Sequence, residues 1–241
     1  MSHEAHLETE LYKKVLAYPP VFSNEIIENY NHSSVQDDMR FVVKKEIIPS
    51  GSINVNTIVG SDNEEYTGLS WKELLVSGEK MREHILQAES NPEYYHNKNI
   101  KEGIAFITVD DKNYTTGTGN NRSCIAKFLL FNAEDSHIHG VRITKYSIDN
   151  SILEQYKTIK HLFSAKPYFK HITFKFKETI ERQSSALTYE YDLKFTLHNT
   201  RADKEYTVLF DEFSKIEEAV KSYKWTSKFY TNNNYLEAIL E

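Results

Sequence analysis

Apolar positions recur along the first third of the chain at helical spacing and then alternate. Leu7, Leu11 and Val15 fall on one stripe of a helix that Pro19-Pro20 stops, and Ser23 is placed to cap a short helix through Ile26, Ile27 and Tyr30. Arg40 to Ile48 reads as a strand closed by Pro49-Ser-Gly51, Ile53 to Val59 as a second strand, and polar Gly60 to Thr67 as a loop. Ser70-Trp-Lys-Glu73 is a capping-box signature, because a serine hydroxyl and a glutamate three residues on can satisfy each other's backbone N–H groups. It opens a helical region to about Ala88, with Gly78 as a break. Gly103 to Val109 is a buried strand. Asp110-Asp-Lys-Asn113 turns it back into Tyr114 to Thr116, a hairpin that delivers the chain to a glycine loop. A helix to about Phe131 and a strand from Gly140 to Tyr146 follow.

Beyond Asp149-Asn-Ser151 the pattern changes. A helix carrying Leu153, Tyr156, Ile159 and Phe163 precedes three strand-like runs, Ile172 to Glu178, Leu187 to Leu197 and Tyr206 to Phe210; Asp211 then stands at the cap of a helix bearing Phe213, Ile216, Val220 and Tyr223. The division expected is a helical lead-in over 1–39, a domain over 40–148 and a C-terminal α+β module over 149–241. No internal repeat or low-complexity segment interrupts it.

The chain of 241 residues is 39% hydrophobic and 13% aromatic, enough for a core. It has no apolar run near the roughly 20 residues that cross a bilayer, and Met1 to Glu10 lacks the basic and apolar regions of a secretory signal, so a cytoplasmic protein without membrane contact is expected. The single cysteine, Cys124, excludes an intrachain disulfide and a multi-cysteine zinc site. Lys+Arg 29 against Asp+Glu 35, a formal charge of -6, argues against non-specific coating of nucleic acid but leaves room for a local basic face.

The richest chemistry lies in Tyr114-Thr-Thr-Gly-Thr-Gly-Asn-Asn-Arg-Ser123. Two glycines permit a tight turn and close backbone approach, the first N–H groups of the helix that follows lack intrahelical partners, and Arg122 adds a planar fork that can grip two phosphate oxygens. The candidate anion-binding residues are therefore Thr116, Gly117, Thr118, Gly119, Asn120, Asn121, Arg122 and Ser123, with Thr115 a further hydroxyl. The dinucleotide fingerprint fails at its third glycine, which is Arg122, and no Gly-Lys-Ser/Thr follows for a P-loop.

Strand, turn, strand, Gly-x-x-Arg, helix and strand in that order resemble the ParB/sulfiredoxin-like superfamily over about residues 40 to 146. The resemblance implies a mixed sheet with helices, in which Ile47-Ile-Pro-Ser50 is the opening strand and turn, the Ser70 to Ala88 region the intervening helices and Val141-Arg-Ile-Thr144 the closing strand. It places Gly119 and Arg122 at the box glycine and phosphate-binding arginine, Asn121 where the family often has histidine or arginine, and Asn120 at the position of the sulfiredoxin cysteine or of a glutamate in related hydrolases. It further implies binding of a nucleoside triphosphate with Mg²⁺ or of nucleic-acid phosphate, metal-dependent nucleotide or phosphodiester hydrolysis if there is turnover, and a plasmid, phage or defence setting. An amide is neither nucleophile nor general base near pH 7, so Asn120 argues against sulfiredoxin activity and removes the chemistry from the box. The competing expectation is a non-catalytic interaction or inhibitor protein with a degenerate domain, docking a partner through its C-terminal module.

Cys124, one turn into the helix, is either a thiol activated by the helix N-terminus or a small buried residue beside Ile125 and Phe128. The carboxylates Asp110, Asp111, Glu134 and Asp135 are the candidates for a divalent ion. His137 and His139 would share one strand face, which can hold a metal but is more simply a polar loop before a strand. Lys166 to Lys177 interleaves basic and aromatic residues as a nucleic-acid face would, yet Ile172, Phe174 and Phe176 alternate with Thr173, Lys175 and Lys177 as in an ordinary half-buried strand. The Lys221 to Trp225 stretch suits a core or a partner surface equally.

Overall fold

A computed structural model of the chain describes residues 8–32 and 38–222. Helices accompany strands paired both parallel and antiparallel, an α+β arrangement. The described residues divide into two compact units, 8–32 with 45–147, and 38–44 with 148–222. Among the described residues no helix is long and apolar enough to cross a membrane.

In the first unit, helix α1 (Glu10–Ala17) buries Leu11, Tyr12 and Val15 as its stripe requires, and Leu7 lies outside the described residues. The helix expected after Ser23 does not form. Ser23 sits inside a 3₁₀ turn, Val21–Asn24, and donates its hydroxyl to the Pro20 carbonyl at 2.6 Å. The β-branched pair Ile26-Ile27 then continues extended into the short strand β1 (Glu28–Asn29). Strand β2 (Val42–Asn54) is also a correction, since it runs without a break through Pro49-Ser-Gly51, where a turn is expected. Gly51 explains part of this: it lies flat against a neighbouring strand, and a Cβ there would stand 2.5 Å from Ile143 Cδ1. The expected second strand is cut in two instead, by a 3₁₀ turn at Val55–Thr57 that Asn54 stabilises by accepting the Asn56 N–H at 2.9 Å, before β3 (Ile58–Ser61).

The capping box forms as its spacing predicts. Ser70 Oγ accepts the Glu73 N–H at 3.2 Å, and Glu73 Oε2 accepts the Ser70 N–H at 2.7 Å. The Ser70 N–H first, and then the Ser70 hydroxyl, which donates to Glu73 Oε2 at 2.8 Å, hold the Glu73 carboxyl below its usual range. Helix α2 (Trp71–Ser77) ends at Gly78, and α3 (Met81–Ser90) and the single turn α4 (Glu93–His96) follow. β4 (Ala105–Val109) and β5 (Lys112–Thr116) make the antiparallel hairpin, turning at Asp110, whose φ is 51°. Helix α5 (Asn120–Leu130) and strand β6 (His137–Ile148) complete the unit, and its strands lie in the order β1-β3-β5-β4-β6-β2. The core joins Trp71, Leu75, Met81 and Ile85 to Phe106 and to Cys124, Ile125 and Leu130 of α5. At about 1.5–3 kcal/mol for each large side chain, this burial fixes where α5 begins.

In the second unit α6 (Asn150–Ala165) is capped by Asp149, whose carboxylate accepts the Ser151 and Ile152 N–H groups at 2.9 and 3.1 Å. The long hairpin β7 (Ile172–Ser185) and β8 (Thr188–Asn199), with β9 (Lys204–Val208) on β8, buries Ile172 and Phe174 and exposes Lys175 and Lys177. That is the half-buried strand of the two readings, and Lys177 pairs with Glu205 at 3.2 Å. Phe174, Phe195 and Phe213 form an aromatic core with ring centroids 4.7–5.8 Å apart. Asp211 does not cap the last helix. A 3₁₀ turn, Phe210–Glu212, precedes α7 (Phe213–Ser222), and the carboxylate meeting its start is that of Glu212, which accepts the Leu209 N–H at 2.9 Å. Tyr223 and the rest of the stretch to Trp225 lie outside the described residues.

Candidate functional site

The glycine turn sits where β5 hands over to α5, and its two glycines serve different needs. Gly117 adopts φ 68°, the left-handed region, with open space where a Cβ would be. Gly119 has an ordinary φ but lies so close to the preceding loop that a Cβ would stand 2.6 Å from the Gly103 carbonyl oxygen and 2.9 Å from Ile104 Cα. The turn Gly117–Gly119 is a 3₁₀ helix running directly into α5.

Most polar groups of this turn are engaged within the fold. Asn120 is buried; its Oδ1 accepts the hydroxyls of Ser61, at 2.8 Å, and of Thr115, while its Nδ2 donates to the Gly117 carbonyl at 2.9 Å. Thr116 donates to the Asp62 carboxylate, which brings a negative charge to the side of the turn. Asn121 Nδ2 donates to the Glu79 carbonyl, whereas Asn121 Oδ1 and Ser123 Oγ are buried without a hydrogen-bond partner. Cys124 is buried under the Trp71 carbonyl, 3.7 Å from its sulfur, and burial pushes its thiol far up, so the packed residue rather than the activated thiol is the reading that fits. Thr118 alone of the four hydroxyls is exposed.

Arg122 turns the other way. Its Nη1 donates to the Glu102 carbonyl at 2.9 Å and to the Tyr94 hydroxyl at 3.3 Å, and its Nη2 lies against Gly103, where a Cβ would come within 2.7 Å. This places the guanidinium on the wall of a cleft of about 300 Å³ between α3, α4 and α5, lined by His84, Gln87, Asn91, Tyr94 and Tyr95 besides Arg122. Among the described residues Arg122 has no carboxylate partner. Lys101 stands over the ring of Tyr94, its Nζ 5.4 Å from the ring centroid and 2.8 Å from the Asn97 carbonyl, and burial draws its amine below the usual range. Burial raises the Tyr95 phenol, which stays protonated.

The carboxylates proposed for a divalent ion do not gather here. Asp110 and Asp111 lie at the opposite end of β5 from the glycine turn, about 16 Å away for a strand of that length. Glu134 and Asp135 follow the far end of α5, and Asp135 is held by His137 and His139, with Oδ1–Nδ1 and Oδ2–Nε2 distances of 3.0 and 2.8 Å. Among the described residues no three His, Cys, Asp or Glu side chains are placed to hold a metal ion.

Two features escape a reading of the motif alone. One is Lys127, buried at 2% exposure, whose Nζ donates to the Val55 and Ile58 carbonyls at 3.2 and 2.7 Å. The signal that discloses it lies outside the motif: a spacing of seven from Asn120 and three from Cys124 puts it on the same inward face. The other is the cleft itself, since Tyr94 and His84 carry no sequence signature linking them to Arg122. No known family, no curated protein and no solved structure matches this chain.

Proposed function

We propose that this protein binds the phosphate of a nucleotide, free or within a nucleic acid, in the cleft between α3, α4 and α5, with Arg122 as the charge clamp and Tyr94 as a surface on which a base stacks. One observation carries the reading: the Arg122 guanidinium is fixed by the Glu102 carbonyl and Tyr94 hydroxyl through Nη1 only, and among the described residues no carboxylate neutralises it. The Nη2 and Nε donors complete the side-on fork that matches two phosphate oxygens. A cavity of about 300 Å³ is at the small end of ligand sites, which favours a mononucleotide unit over a dinucleotide. The glycine–arginine box and its resemblance to nucleotide-binding domains make nucleoside triphosphates the first ligands to test. Asn120 favours binding without turnover at the box, because all three of its hydrogen bonds already hold the turn together.

Calorimetric titration with nucleoside triphosphates and short single-stranded oligonucleotides, with and without Mg²⁺, tests this. The expected result is saturable binding that Arg122→Ala weakens by about 10- to 100-fold, the worth of a charge-assisted pair of hydrogen bonds. Absence of binding to every ligand, or equal binding by Arg122→Ala, overturns it.

A further inference from the structure

Ser52 on β2 and His139 on the adjacent strand β6 meet across the sheet, with Ser52 Oγ 2.8 Å from His139 Nδ1. The other ring nitrogen, Nε2, lies 2.8 Å from Asp135 Oδ2. Asp135 Oδ1 accepts the His137 N–H at 3.1 Å and stands 3.0 Å from His137 Nδ1, so both carboxylate oxygens are anchored. The hydrogen bonds of His139, then of His137, hold this carboxyl down to about 2.

Hydrogen-bond logic fixes the tautomer. An ionised carboxylate only accepts, so Nε2 of the neutral ring carries the proton, Nδ1 has the bare lone pair, and the Ser52 hydroxyl is the donor. A hydroxyl donating to an imidazole that in turn donates to a carboxylate is the arrangement that makes a serine nucleophilic, with the two ring nitrogens in exchanged positions. The His139 side chain is 13% exposed, sheltered by its neighbours, while Ser52 itself is exposed to a reactant.

We propose that Ser52 is an activated nucleophile that takes an acyl group from a small ester at this face of the sheet, independently of the Arg122 cleft. As Oγ bonds to the carbonyl carbon its proton passes to His139 Nδ1. When the ester C–O bond breaks, the same proton passes to the leaving oxygen, and water then releases the acid by the same route. His139 is the base; Asp135 is a positioning residue that holds the ring and steadies its charged form.

The full chain treated with a fluorophosphonate probe tests this, because Ser52 Oγ displaces fluoride from phosphorus and passes its proton to His139. The expected result is a single adduct on Ser52 by peptide mass, lost in Ser52→Ala and formed at least about 100-fold more slowly in His139→Gln, with exposed Ser50 on the same strand unlabelled. Asp135→Asn should slow labelling at least about tenfold while thermal unfolding stays cooperative. Nitrogen-15 NMR of the unsubstituted chain provides a check that needs no variant to fold, and His139 should report the Nε2–H tautomer. No adduct, equal labelling of Ser50 and Ser52, an unchanged rate in a folded His139→Gln, or a dominant Nδ1–H tautomer overturns the proposal.

Discussion

Helix α5 carries two cations on opposite sides. Arg122 and Lys127 are about 140° apart around the axis at 100° per residue, and neither has a carboxylate partner among the described residues. The fold answers Lys127 in full: two backbone carbonyls take its protons, and the rings of Phe22 and Trp71 lie 4.7 and 5.1 Å from its Nζ. Arg122 receives one carbonyl and one phenol, both through Nη1, and lines a cleft. A cation completed by the fold is part of the core, whereas one left incomplete at a cavity is a binding group. The difference between them lies in their surroundings rather than in their residue type or spacing.

The largest effect should come from the inward cation. Lys127→Ala removes a long buried side chain and leaves the Val55 and Ile58 carbonyls without partners, and should cost about 4 kcal/mol of unfolding free energy in urea. The pH dependence separates charge from packing. Burial draws the Lys127 amine down to about 8, below its unfolded value near 10.4, so between those limits the unfolded chain binds a proton that the folded chain does not. Taken alone, this group should therefore raise stability from about pH 8 to about pH 10, by on the order of 3 kcal/mol. Lys101, lowered in the same direction, adds to the rise, whereas the Cys124 thiol, pushed far up by burial, opposes it above about pH 8.5, where the unfolded thiol ionises, and the buried phenols of Tyr30, raised to about 12, and Tyr95, also raised, oppose it above about pH 10. Lys127→Met keeps the volume and removes the Lys127 contribution, so the slope of stability between about pH 8 and about pH 10 should lie below that of the unsubstituted chain, the Cys124 contribution no longer being offset by it. An undiminished slope in that variant would mean that Lys127 is not the group responsible.

The inward side of the glycine turn should behave like Lys127. Asn120→Ala deletes three hydrogen bonds at once and should cost about 2–3 kcal/mol of stability, read from urea unfolding, while the folded fraction keeps its affinity for a nucleotide. Arg122→Ala should do the reverse, weakening the ligand and leaving stability within about 1 kcal/mol. If Asn120→Ala abolished binding in fully folded protein, the turn itself would be the phosphate site.

What the chain discloses in advance follows the range of the forces involved. The capping box, the β4–β5 hairpin, α5, α6 and the alternation of β7 are set by neighbours within a few residues, and all are legible. The failures occur where a distant partner decides. Pro49 and Gly51 signal a turn locally, but close packing against Ile143 keeps β2 extended. Ser23 looks like a cap, but Pro20 lies within reach of its hydroxyl. At the candidate site the spacing discloses the turn and the charge, and it cannot disclose that Asn120 reaches Ser61 or that Arg122 meets Tyr94, contacts separated by 59 and 28 residues.

Tyr94 offers the finest test of the outward side. Its hydroxyl accepts from Arg122 Nη1 at 3.3 Å, a long contact, while the Lys101 Nζ lies 5.4 Å from its ring centroid. Tyr94→Phe removes only the hydroxyl, and since the Glu102 carbonyl still holds Nη1 at 2.9 Å, nucleotide affinity should fall by no more than about threefold, less than 1 kcal/mol. Tyr94→Ala also removes the stacking surface, and should lower affinity for a nucleotide by about tenfold while barely altering affinity for inorganic phosphate. Equal losses for nucleotide and phosphate would show that the ring only positions the guanidinium, and the base would then have to bind elsewhere along the cleft.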